Sequence, residues 1–191
     1  ALRRRRMVRA FRPEPLRTDV LDAIVDAAGR APSAGNSQGV DLVVLQGAET
    51  AAYWDASLPP ERRARFRWQG LLDAPALIVV VADPSRYTAR YAEPDKVVSG
   101  LGRGPEAWGV PFWHVDAGMA VMAMLLRVVD LGLGAVFFGA FERADAVASA
   151  LGIPAGREVV GTVAVGRPVP DEPGRSSDRP RRADTVHLGR W

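Results

Sequence analysis

The sequence predicts one α+β domain, a central sheet flanked by helices, on three observations. Its 191 residues, 48% hydrophobic and 25% charged, are enough to bury one sizeable core. Stretches of helical spacing are interspersed with short, continuous apolar runs of strand length. No Gly-x-Gly-x-x-Gly follows a strand run and no phosphate-binding Gly-Lys-Ser/Thr loop occurs, which argues against a doubly wound dinucleotide-binding domain.

The elements follow in order. After Pro13 and Pro15, Thr18 reads as an N-cap, and Leu21, Ile24, Val25 and Ala28 recur at helical spacing until Gly29. APSAGNSQG then runs nine residues without a large side chain, a loop. DLVVLQG reads as a short buried strand, and residues 48–58 and 60–72 as helices, the second opened by Pro60 in its first turn. ALIVVVAD is apolar without alternation and predicts a strand covered on both faces.

Residues 84–113 hold Tyr87, Tyr91, Trp108, Phe112 and Trp113 among scattered Gly and Pro. So long an irregular stretch predicts a lid or substrate loop, with a surface excursion packed by its own aromatics as the alternative. Residues 114–131 are apolar around most of their circumference and predict an enclosed central helix, too short between Asp116 and Arg127 for a membrane span. GLGAVFFGAF is a strand, residues 142–151 a helix stopped by Gly152 and Pro154, and EVVGTVAVGRP the last strand. From Val169 the composition turns to Pro, Gly, Ser and Arg, and residues 169–191 predict an arm that docks through its terminal Trp191.

Charge is distributed unevenly. The net value is only +3, yet six arginines fall in the first twelve residues, interrupted by Met7, Val8, Ala10 and Phe11 as in a folded edge. Lys96 is the only lysine, and arginine supplies forked contacts to phosphate or carboxylate. The absence of cysteine excludes disulfides and thiolate chemistry, and His114 and His187 lie too far apart for a helical metal motif. Asp116 reads as a dipole or cap contact, and Met119, Met122 and Met124 as core packing. No signal-like segment follows the Arg run, and the expected compartment is the cytoplasm.

Several stretches carry a resemblance. Arg5-Arg6-Met7-Val8-Arg9-Ala10-Phe11 resembles the Arg-Arg-Ser-x-Arg-x-Phe opening of the FMN-dependent nitroreductase family. Residues 31–38 are similar to that family's Pro-Ser-Ser-x-Asn-x-Gln loop, and Asp116-x-Gly118 with Leu131-Gly132-Leu133-Gly134 to its central helix and following strand. Arg179-Pro180-Arg181-Arg182 and Val186-His187 match its basic C-terminal element. The resemblance spans essentially the whole chain. It implies a nitroreductase-like central mixed sheet flanked by helices, a C-terminal arm exchanged in a homodimer, and bound FMN.

Residue by residue, the resemblance implies that Arg5 takes the FMN phosphate with Arg181 closing from the far end, Arg179 beside it, and Arg6 and Met7 adjacent through side chain or backbone. Arg9 would approach the N1/O2 edge, where a fixed cation favours the reduced ring. Pro32, Ser33, Ala34 and Asn36 would reach the ring and ribityl chain of the partner's flavin. Phe137, Phe138 and Gly139 would present backbone N–H groups near N5. Departures from the pattern are Met7 for a frequent Ser, Gly39 for a frequent Pro, and Arg67 where the family often places a ring-contacting Asn.

The activity implied is transfer of hydride from NAD(P)H through the flavin to an electron-poor acceptor such as a nitroaromatic or quinone. The cofactor carries the hard step, so no side chain is assigned as catalytic and no metal is invoked. A non-catalytic flavin carrier shares these motifs. A basic nucleic-acid module is the third reading, and neither terminal Arg run is interleaved with the stacking aromatics it would need. Neither nucleic acid nor membrane is therefore an expected partner.

Overall fold

The computed structural model describes residues 1–169, 179, 180 and 182–191. In chain order it holds α1 (Thr18–Gly29), β1 (Val40–Gln46), α2 (Thr50–Ser57), a single-turn α3 (Pro60–Arg63), β2 (Ala76–Ala82), α4 (Pro84–Tyr91), α5 (Phe112–Asp130), β3 (Gly134–Phe138), α6 (Ala144–Ala150) and β4 (Glu158–Gly166).

The strands form one sheet in the order β1-β2-β4-β3, every neighbouring pair antiparallel. The α+β class therefore stands. The mixed character expected of the sheet is confined, among the described residues, to one parallel bridge between Met7 and Ala135 at the β3 edge.

Every residue of β2 is buried, and the pleat explains why all seven are apolar. Ala76, Ile78 and Val80 face a cluster built on α1 and α5; Leu77, Val79 and Val81 face a second cluster containing Tyr53 and Trp54 of α2 and Val147 of α6. Each fully buried Val, Leu or Ile in these layers contributes roughly 1.5–3 kcal/mol. β4 lies beside β2, and Thr162 on it spends its hydroxyl on the Tyr53 phenol oxygen at 3.0 Å.

α5 buries Ala117, Ala120, Val121, Met124 and Val128 and crosses the sheet next to α1, whose Leu21, Ile24 and Ala28 complete the layer. By length and composition α5 could cross a bilayer, but here its apolar side is the roof of the core.

Four expectations need correction. Thr18 is the first helical residue rather than the cap; Arg17 precedes it and forks onto Asp19 at 2.9 and 2.8 Å. β1 is half-exposed because it is an edge strand, paired to β2 alone. The long helix expected over 60–72 stops at Arg63, which folds back onto the Leu58 carbonyl, and Gln69 Nε2 caps the carbonyls of Arg63 and Phe66.

Residues 84–113 are not irregular throughout. Asp83 caps α4 by accepting from the Ser85 amide, Pro84 occupies the first turn, and three 3-10 turns follow. Tyr87, Trp108 and Trp113 are buried together, with Trp108 edge-on to Tyr87 at 5.8 Å.

Candidate functional site

The Arg-rich opening is a folded edge. Val8 donates its amide to the Ala135 carbonyl, Phe11 to Gly70 and Arg12 to Arg167, while Val8 and Phe11 are buried. The segment runs beside β3, and alternating side chains meet different environments. Val8 enters the core, Met7 packs against both clusters, and Arg5 and Arg9 line two separate cavities.

Arg5 and Arg6 line a cavity of about 230 Å³, walled by Gly132–Ala135 and by Leu125 and Val129 of α5. Arg5 Nη1 is buried with no hydrogen-bond partner among the described residues. A guanidinium nitrogen left unpaired away from water costs free energy that an oxyanion would return, so this donor fits a phosphate. Arg4 also lines this cavity, with its Nη2 3.9 Å from Asp130 on the surface.

Four residues further on, Arg9 opens onto a larger, aromatic cavity of about 580 Å³ between α2, the α3 turn and the end of β3. Its guanidinium carbon lies 5.0 Å from the Trp68 ring centroid and its Nη1 donates to the Met7 carbonyl at 3.3 Å. Phe137, Phe138 and Gly139 form the facing wall, with Phe138 stacked on Trp54 at 5.9 Å. The Phe137 ring packs on the opposite, α1/α5 face of the sheet over Gly161, where an added Cβ would sit 2.6 Å from it. Arg67 is placed over the outer face of Trp68 at 4.4 Å, so Trp68 rather than Arg67 lines the cavity.

Pro32, Ser33, Ala34 and Asn36 line neither cavity. They form a self-bonded turn in which the Gln38 amide donates to Ser33 Oγ, Gln38 Nε2 donates to Asn36 Oδ1, and Gly35, Asn36 and Gln38 take left-handed backbone. Two side chains from elsewhere pin it. Asp116 Oδ2 accepts the Ala34 amide at 2.8 Å, and Arg90 Nε donates to the Gly35 carbonyl at 2.8 Å. Asp116 is thus neither a cap nor a dipole contact of its own helix; it is buried, and Tyr87 donates to the same oxygen at 2.8 Å. Burial, reinforced by that carboxylate, pushes the Tyr87 phenol well above its ordinary range.

Of the C-terminal residues, Arg179 is exposed and Arg181 lies outside the described residues. Trp191 is exposed in the single chain and stacks on His187 at 4.3 Å. His114 Nε2 meets Glu158 Oε2 at 2.5 Å, and among the described residues no group of three acidic, His or Cys side chains is placed to hold a metal ion.

The structure places Arg5 and Arg6 at the smaller cavity and Arg9 with 137–139 at the larger, whose aromatic lining of Trp54, Phe66 and Trp68 was not anticipated from the sequence. For Phe66 and Trp68 the signal was the alternation RFRW over 65–68, where the two aromatics turn inward and Arg65 and Arg67 are exposed.

The architecture is that of the nitroreductase fold. An FMN-dependent nitroreductase from Clostridium difficile superposes with a TM-score of 0.71 at 21% identity, covering 100% of this chain and 98% of its own. A provisionally named nitroreductase from Desulfovibrio desulfuricans, solved in complex with FMN, reaches 0.66 at 27% identity, covering 94% of this chain and 89% of its own. In sequence, the chain is 28% identical over 191 residues to a protein of Archaeoglobus fulgidus provisionally named NADH dehydrogenase/NAD(P)H nitroreductase, covering 98% of this chain and 94% of that one. The nitroreductase family model matches residues 2–167, and the chain belongs to that family.

Proposed function

We propose that this protein is a cytoplasmic, homodimeric FMN oxidoreductase that passes hydride from NAD(P)H to an electron-poor acceptor of the nitroaromatic or quinone type. The observation that carries the reading is the buried Nη1 of Arg5, without a hydrogen-bond partner among the described residues, in a cavity four residues along the same segment from an aromatic chamber edged by Arg9. FMN joins a phosphate to a planar ring, and when bound it supplies reversible two-electron hydride chemistry.

In this reading Arg5 and Arg6 hold the phosphate, with Arg179 and Arg181 of the C-terminal element nearby. Met7 spaces them from Arg9: four residues of extended chain reach at most ~14 Å, so one segment can address both ends of a mononucleotide. Arg9 holds positive charge at the pyrimidine edge, and the amides of Phe137, Phe138 and Gly139 face the reacting edge. Arg67, stacked outside Trp68, adds cationic field without entering the chamber.

The 32–36 loop lies apart from both cavities in one chain, which supports its serving the partner's site. Along α5, Phe112 and Val115 are exposed and Met119, Met122 and Leu126 only part-buried, an apolar stripe at helical spacing that supports a paired subunit. Residues 169–191 would embrace that subunit.

The test is direct. Protein purified and reconstituted with FMN should retain one FMN per chain and bleach within seconds of NADH or NADPH addition under anaerobic conditions. Retained flavin that neither nucleotide reduces would leave a carrier rather than an enzyme, and failure to retain FMN would remove both.

A further inference from the structure

Phe141 combines three unusual properties. Its φ of +47° places a bulky L-residue in left-handed backbone. Its side chain is 87% exposed. It also stands at the mouth of the aromatic chamber, with its ring against Gly139, where an added Cβ would lie 3.3 Å away. Strained backbone that holds an aromatic out in water at a cavity mouth marks a residue kept for what enters.

The rim beside it is cationic. Arg143 anchors its Nε on the Ala56 carbonyl at 3.0 Å, and no other acceptor engages its guanidinium among the described residues. Arg62 reaches across from α3 to Glu142 at 3.6 Å, an exposed pair that costs little to open. Behind it, Arg65 and Arg67 continue the positive strip of RRARFRW, whose Phe66 and Trp68 face inward. Inside, the buried indole N–H of Trp54 has no hydrogen-bond partner among the described residues.

We propose that this mouth selects a planar aromatic electron acceptor bearing an anionic group such as a carboxylate: Phe141 stacks on its ring, and Arg143 with Arg62 pairs with its charge. The inference rests on the chamber being the reaction site proposed above, and names its acceptor class.

The experiment compares 4-nitrobenzoate with its neutral isostere 4-nitrobenzamide, titrated calorimetrically into FMN-reconstituted protein. The wild type should bind the benzoate at least fivefold more tightly, with a preference that shrinks as salt is raised. Arg143→Gln should abolish most of that preference while weakening the benzamide less than twofold. Phe141→Ala should weaken both ligands three- to tenfold, and Phe141→Tyr should restore them. Equal affinity for the two ligands in the wild type overturns the proposal, as does a Phe141→Ala variant that binds both unchanged. It is likewise overturned if Arg143→Gln raises the KM for NAD(P)H and spares the benzoate preference, since the arginine then serves the dinucleotide phosphates. Binding of the two probes needs no hydride transfer, so protein that cannot be reduced by NAD(P)H defeats the reading of function without deciding this comparison.

Discussion

The Tyr87 hydroxyl donates to Asp116 Oδ2 at 2.8 Å, joining the first helix of the 84–113 segment to the central helix at the oxygen that also holds the Ala34 amide. Tyr87→Phe leaves a buried carboxylate short of one donor. The expected cost is ~1–3 kcal/mol, read as a thermal midpoint lowered by roughly 3–10 °C. FMN retention should fall with it if the 32–36 loop reaches the flavin.

The same phenol makes stability depend on alkaline pH. Burial and Asp116 raise its folded-state pKa above the unfolded value of ~10, and burial raises that of Tyr53 as well. The native state therefore keeps protons that the unfolded chain releases. Stability is full below pH ~10 and declines above it, by up to ~1.4 kcal/mol per pH unit for each tyrosine. Urea denaturation between pH 9 and 11.5 should show this slope, and Tyr87→Phe should flatten it.

Arg5→Ala removes a donor that has no partner among the described residues, so it should cost the fold little and FMN affinity much, roughly 10- to 100-fold. Arg9→Ala should weaken FMN retention and shift the bound flavin's midpoint potential to more negative values by about 30 mV, the equivalent of ~1.4 kcal/mol for two electrons. Equilibrium dialysis and spectroelectrochemistry report the two effects separately. An unchanged potential in Arg9→Ala would remove this residue from the ring's edge.

Sites shared between chains predict complementation. A dimer disabled in the 33–36 loop, mixed and refolded with one disabled at Arg5, should regain about one flavin site per hybrid dimer. Hybrids that recover no flavin would place each site within a single chain.

Gly161→Ala puts a methyl into the ring of Phe137. The ring must repack against the α1/α5 layer or the strand must shift, and the 2.8 Å approach to the Phe138 carbonyl disturbs the end of β3 that walls the chamber, with an expected cost of ~1–3 kcal/mol and weaker FMN binding. Denaturant midpoints and flavin titration of the same preparation check both.

The core was legible because its signals are local. The unbroken apolar run of β2 announced a strand covered on both faces, and the spacing of Leu21, Ile24 and Ala28 announced α1. Val8 and Phe11, set among arginines, announced a structured edge. What could not be read depended on partners distant in sequence. Asp116 looked like an ordinary helix-start acid, since nothing local reveals that Ala34 and Tyr87 converge on it. The half-exposure of β1 follows from its place at the sheet edge, which its own residues do not encode. The α4 start was readable in Asp83-Pro84-Ser85 and was obscured by the Gly and Pro downstream. The inward turn of Phe66 and Trp68 required knowing that the helix breaks at Arg63.

The opening strip also sets a timetable. Val8, Phe11 and Arg12 are held by Ala135, Gly70 and Arg167, and Ala10 by Val169, so residues 8–12 wait on partners made much later along the chain. At ~5–20 residues per second, that delay is roughly 10–30 s of exposed Val8 and Phe11. The cavities edged by Arg5 and Arg9 therefore gain their walls only once β3 and the residues beyond it have been made. A chain stalled before β4 would be a natural client for chaperones, with no half-built pocket for a cofactor to rescue.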